Sequence, residues 1–190
     1  MVGSGTLSLP VGNELVEGQN LRINVANGVA IVDTPLAYAA ADPNFGVNPS
    51  IIDVAYTNSD TNAGTGTTLY YIDNNLDILV STTNPNGGVL NTIGALGFDT
   101  TDRTGFDILS DGVGGNTAYA LLTAPSGIAS LHSINLVTGA ATNLGTISQT
   151  AGSRPYVLAV VQPVPEPGTA VFGLAFVGAA FTRRSSRCRA

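Results

Sequence analysis

The chain has no lysine and no tryptophan, one cysteine, one histidine and one methionine among its 190 residues. Each shortage excludes something. Without lysine, and with only Arg22, Arg103 and Arg154 set against twelve acids in residues 1–162, that region has no basic patch to meet phosphate. Nucleic acid is therefore excluded as a partner, since its binding needs clustered Lys and Arg. A lone cysteine, Cys188, leaves no intrachain disulfide. A lone histidine, His132, leaves no Ser-His-Asp or Cys-His arrangement to argue, because Cys188 lies far outside the body. Zinc is disfavoured for want of a second His or Cys ligand. The first residues, MVGSGTLSLPVGNELVEGQ, have no basic stretch followed by an apolar one, so they do not form a signal peptide.

What is present is Gly, Asn, Thr and small apolar residues, with a formal net charge of −6 for the whole chain. Helical periodicity is nearly absent before residue 163. Short runs rich in Val, Ile, Tyr, Leu and Thr recur between Gly, Asn, Asp and Pro clusters, the pattern of strands and turns. Three segments share one motif: Asn20-Leu21-Arg22-Ile23-Asn24 leading to Gly28, Leu69-Tyr70-Tyr71-Ile72-Asp73 leading to Asp77, and Leu131-His132-Ser133-Ile134-Asn135 leading to Gly139. Each predicts a strand, a turn opened by an Asn or Asp side chain, a left-handed residue, and a returning strand. Further strands are predicted at 51–57, 105–109, 118–122 and 156–161. The stretch 89–96 reads as an added strand or connector, and 35–38 as a first strand for the unit ending near Thr82. Residues 105–147 then hold four strands, the length and content of one propeller blade.

Candidate chemistry is thin. Asp73, Asn75 and Asp77 have the spacing that begins a calcium loop, but the sixth and twelfth positions hold Ile78 and Asn84 where Gly and Glu are wanted. The hairpin turn is the simpler reading. Asp99, Asp102, Asp107 and Asp111 are explained as well by turn chemistry as by calcium, and Gly112 to Thr117 lacks the lysine of a phosphate loop. His132 falls on the strand face of Ile134, at the motif position of Tyr70 and Leu21, and reads as a packing residue. No catalytic residue, metal or other cofactor is assigned.

The last 28 residues differ in kind. Pro163, Pro165 and Pro167 make an extended spacer around Glu166, residues 168–182 carry no charge, and Arg183, Arg184, Arg187 and Arg189 close the chain. Fifteen uncharged residues make a helix of about 22 Å, short of the roughly 30 Å hydrocarbon core. The arginines sit where a positive-inside stop belongs. The ordered set of V-P-E-P-G, apolar run and arginines resembles the bacterial PEP-CTERM sorting domain. That resemblance implies export, transient anchoring in the inner membrane, and processing by an exosortase, a membrane-embedded cysteine transpeptidase. Its recognition residues map onto Pro165, Glu166 and Pro167.

In the body, GQNLRIN, AYTNSD, TTLYYIDNNLDILV, NPNGGVLNTIGALG, GFDI, AYALL and SINLVTGAATNLG occur in that order. Together they resemble a bacterial domain-of-unknown-function family, numbered 4394; that resemblance implies a propeller-like fold and brings no assigned activity. The expected fold is all-β: a partial propeller-like array of antiparallel four-stranded units in residues 1–162, with a C-terminal hydrophobic helix in 163–190. Residues 20–32 amount to half a unit, so an N-terminal truncation with open sheet edges is expected. The functional expectation is an exported, non-catalytic envelope protein, structural or associated with exopolysaccharide. The alternative is a propeller hydrolase or lactonase-like enzyme with part of its site in absent N-terminal blades.

Overall fold

The computed structural model describes residues 4–5, 18–24, 26–59, 64–147 and 157–161. Their regular structure is β apart from one 3-10 turn at Pro85–Gly87. The strands are β1 (Ser4–Gly5), β2 (Leu21–Ile23), β3 (Ala30–Val32), β4 (Ala37–Tyr38), β5 (Ile51–Tyr56), β6 (Leu69–Asp73), β7 (Ile78–Thr82), β8 (Val89–Ala95), β9 (Thr104–Ser110), β10 (Asn116–Thr123), β11 (Ala129–Ile134) and β12 (Ala141–Thr146). They form three sheets with orders β1-β2-β3, β4-β8-β7-β6-β5 and β12-β11-β10-β9. Strands β5 to β8 and β9 to β12 are two consecutive antiparallel meanders, and each is a four-stranded unit.

The three motif hairpins form as their sequences require. Gly28, Asp77 and Gly139 have φ of 73°, 52° and 82°. Asn24 Oδ1 accepts the amide of Ala26, Asp73 Oδ1 those of Asn75 and Leu76, and Asn135 Oδ1 those of Val137 and Thr138. The turn is local chemistry, so it works wherever it stands. It joins β2 to β3, the second and third strands of the middle unit, and the third and fourth strands of the last unit. The repeat therefore belongs to the hairpin and not to a fixed place in each sheet.

Two apolar clusters flank the middle sheet. Along β6 and β7, Ile72 and Leu79 face one cluster while Leu69, Tyr71, Ile78 and Val80 face the other. That is the near-continuous apolar run of a sheet covered on both sides. The first cluster also takes Phe106, Ile108, Ala118, Ala120, Leu122 and Ile134, so it is the seam between the middle and last sheets. The second takes Leu36, Tyr38 and Leu90. Each fully buried Leu or Ile contributes roughly 1.5–3 kcal/mol.

Two strand assignments are corrected. The segment 35–38 does not begin a unit: Ala37–Tyr38 pairs parallel with β8, as Ala37↔Val89 and Tyr38↔Leu90, and forms a fifth, outer strand. Gly88 permits it, because a Cβ there would strike the carbonyl oxygens of Thr34 and Pro35. The unit expected to end near Thr82 runs on through β8, its fourth strand. At the front, β1 adds a strand to the two read from residues 20–32, with Ser4↔Arg22 and Gly5↔Leu21. The expected C-terminal helix falls on residues outside those described. Among the described residues, no helix is long and apolar enough to cross a membrane.

Candidate functional site

Three of the described acids, Asp53, Asp73 and Asp107, serve backbone amides. Asp53 stands mid-strand in β5 and Asp107 mid-strand in β9. Asp53 Oδ1 accepts the amide of Val54 at 2.8 Å, and Oδ2 accepts that of Phe106, on β9, at 2.7 Å. Asp107 repeats the arrangement. Its Oδ1 takes Ile108 N at 2.8 Å, and its Oδ2 takes Val160 N, on the segment 157–161, at 2.8 Å. The first strand of one unit is thus latched to the first strand of the next, and that in turn to the chain segment beyond. Residues 157–160, expected as part of a strand, run beside β9 without a ladder of their own. Gly105 gives them room, since a Cβ there would lie 2.5 Å from Leu158 N. Burial pushes the Asp53 carboxyl up, opposed by the amides of Val54 and Phe106, with the charge of Asp107 adding to the rise.

Asp73 is the most enclosed acid, at 0% exposure. Beyond the two turn amides on Oδ1, its Oδ2 accepts the Tyr38 hydroxyl at 2.6 Å and Ser50 N at 3.0 Å. Burial, then the hydrogen bond to Asp73, raises the Tyr38 phenol far above its ordinary range. Asn75 is exposed, and Asp77 Oδ1 accepts Thr100 N at 2.9 Å. Asp73, Asn75 and Asp77 do share a turn, but its carboxylates point to separate amides. Among the described residues, no three His, Cys, Asp or Glu side chains gather closely enough to hold a metal ion.

The other candidates disperse. Asp99, Asp102 and Asp111 are exposed, apart from Asp107 in its strand, and Asp111 Oδ1 closes its own loop on Val113 N and Gly115 N. His132 is 2% exposed. Its Nδ1 lies 3.1 Å from Ser130 O, and its ring meets the edge of Phe98 at a centroid distance of 4.7 Å. Burial holds the imidazole below its usual pKa, so it is neutral near pH 7. It packs as its place on the face of Ile134 predicts. Pro165, Glu166, Pro167, Arg183, Arg184, Arg187, Arg189 and Cys188 lie outside the described residues.

A model described as "Domain of unknown function (DUF4394)" matches residues 14–154 of this chain. The chain belongs to the DUF4394 family. No curated protein matches it. Within this DUF4394 chain, sequence reading missed two of the features that join the sheets, Asp53 and the reciprocal pair in which Asn116 Oδ1 accepts Asn58 N and Asn116 Nδ2 donates to Asn58 Oδ1, both at 2.8 Å, and it explained a third, Asp107, by turn chemistry. A signal existed for the aspartates. IIDVA and GFDIL each place one acid at the centre of an apolar strand, where a solitary charge needs a designated partner. The Asn58 pair had no such signal, because asparagine is ordinary in loops.

Proposed function

We propose that this DUF4394 chain is an exported, non-catalytic cell-envelope protein, built from propeller-type sheets and delivered by its C-terminal tail, with a structural or exopolysaccharide-associated role. The observation that carries the non-catalytic reading is the engagement of its interior acids. Both oxygens of Asp53, Asp73 and Asp107 accept hydrogen bonds from the protein itself. A carboxylate so held is a poor general base and a poor ligand, whereas it is well suited to fixing one sheet against another. The propeller reading is supported by consecutive four-stranded meanders that pack face to face with their first strands side by side. The sorting reading rests on the order P-E-P, apolar run, arginines in residues 163–190.

The test is expression of the chain behind a signal peptide in a host that carries an exosortase. Intact-mass spectrometry of the exported protein should show that Arg183 to Ala190 have been removed. Replacing Pro165, Glu166 and Pro167 with alanine should leave the tail in place. Recovery of exported wild-type protein that still carries Cys188 overturns the sorting role.

A further inference from the structure

The free edges of the three sheets are not alike. β5 and β9 are joined through Asp53, and β4 is only two residues long. β12 is blunted: its ladder with β11 shifts register between Leu131, which pairs with Gly145, and His132, which pairs with Asn143, so Leu144 is left out of the pairing. Bulges and short strands of this kind are how proteins discourage edge-to-edge pairing. β3 is short, at three residues, but it carries no bulge and no charge of its own. Val29 to Val32 form an uncharged apolar run, and Val29, Ile31 and Val32 are 54%, 48% and 68% exposed. Neighbours in a strand point to opposite faces, so both faces of β3 are open as well as its edge.

The register fixes what that edge offers. β2 and β3 pair as Leu21↔Val32, Arg22↔Ile31 and Ile23↔Ala30. Asn24 N donates to Val29 O and Asp33 N donates to Asn20 O, both at 2.9 Å. Residues 29, 31 and 33 therefore turn their backbone groups toward β2, and Ala30 and Val32 turn theirs outward. Among the described residues, no other strand lies along that outer edge. Asp33, next along the chain, is neutralised by a two-point pairing with Arg22, Nε–Oδ2 2.6 Å and Nη2–Oδ1 3.0 Å.

We propose that β3 is a self-recognition edge, which pairs antiparallel with β3 of a second copy about a twofold axis through Ile31. In this register Ala30 meets Val32 of the other copy and Val32 meets its Ala30, so all four outward backbone groups of each strand find partners. Ile31 then faces Ile31 of the second copy across a non-hydrogen-bonded position, with Cα atoms about 4.5 Å apart. The edge is thus complementary to itself, as a twofold contact requires. It brings no unpaired charge to the axis, and two three-stranded sheets become one of six. Single-strand addition buries less than a standard interface, so the dimer is weak and concentration-dependent. Each chain carries a net charge of −6, so added salt tightens the dimer by screening repulsion.

Sedimentation of the full chain in a mild detergent, which keeps the apolar run near the C-terminus from driving association, should show a monomer–dimer equilibrium strengthened by salt. Val32→Lys alters a side chain that is already in water, so it should leave the thermal melt unchanged and weaken the dimer at least tenfold. In a Cys188→Ser background, Ile31→Cys should form an oxidised dimer. Val29→Cys, which faces position 33 of the other copy, should not. A monomer at every concentration, a dimer indifferent to Val32→Lys, or equal cross-linking at positions 31 and 29 overturns the proposal. So does hydrogen-exchange protection of Ala30 and Val32 in dilute monomer, which would mean that another segment of the chain covers the edge.

Discussion

At the scale of single residues, the most constrained position is Gly139. It ends the Asn135 turn at φ 82°, which a side chain tolerates poorly, and a Cβ there would also collide with the carbonyl of Gly94 on β8. The reverse holds too: a Cβ on Gly94 would strike the carbonyl oxygen of Thr138. Two backbones therefore touch across the seam between the middle and last sheets, and both need glycine. The turn motif exposes the first requirement, whereas the second exists only once the sheets are packed. Gly139→Val should cost at least about 2 kcal/mol, combining left-handed strain with overpacking. Gly66→Val, in a loop with nothing within 4 Å and no left-handed backbone, should stay within about 0.5 kcal/mol. Denaturant titration of both variants measures this, and equal costs would contradict the turn and the contact together.

At the scale of elements, the strands follow their sequences and the junctions between sheets do not. β5 and β9 are joined by the Asp53 carboxylate, and no propensity encodes a bond between residues 53 and 106. Asp53→Asn tests that joint. Its amide nitrogen would have to face either Val54 N or Phe106 N, a donor against a donor, at a cost of about 1–3 kcal/mol at neutral pH. The pH dependence has a definite sign. Because the folded-state pKa of Asp53 is raised, its linkage contribution is fully present below the unfolded carboxylate pKa and is lost as pH rises through the folded value. The stability of wild type relative to Asp53→Asn should therefore fall as pH rises from acidic toward neutral. Chemical denaturation at several pH values checks it, and a difference that grows with pH would refute the assigned environment.

At the scale of the molecule, the middle sheet is the anchor. β6 and β7 are packed on both faces, while β3 and most of β12 are in water. Opening β6 or β7 must expose both clusters, whereas β3 and β12 can fray alone. Native-state hydrogen exchange at dilute concentration should find the slowest amides on β6 and β7, those of β10 close behind, and the fastest strand amides on β3 and β12. Uniform protection across all strands would show that the three sheets open as one.

The sequence by itself determined the all-β class, the positions of nearly every strand from β2 to β12, and the three hairpin turns, because alternation and turn chemistry act over a few neighbouring residues. It also carried the ordered motifs by which the chain is placed in DUF4394. The tertiary structure alone decided the parallel seat of Ala37–Tyr38 on β8, the contact between Gly94 and Gly139, and the latches from Asp53 and Asp107. Those features join residues tens of positions apart. Whether a mid-strand aspartate is a turn former, a ligand or a clamp depends on which amide the packed sheets bring within 3 Å of it, and local pattern holds no record of that distance.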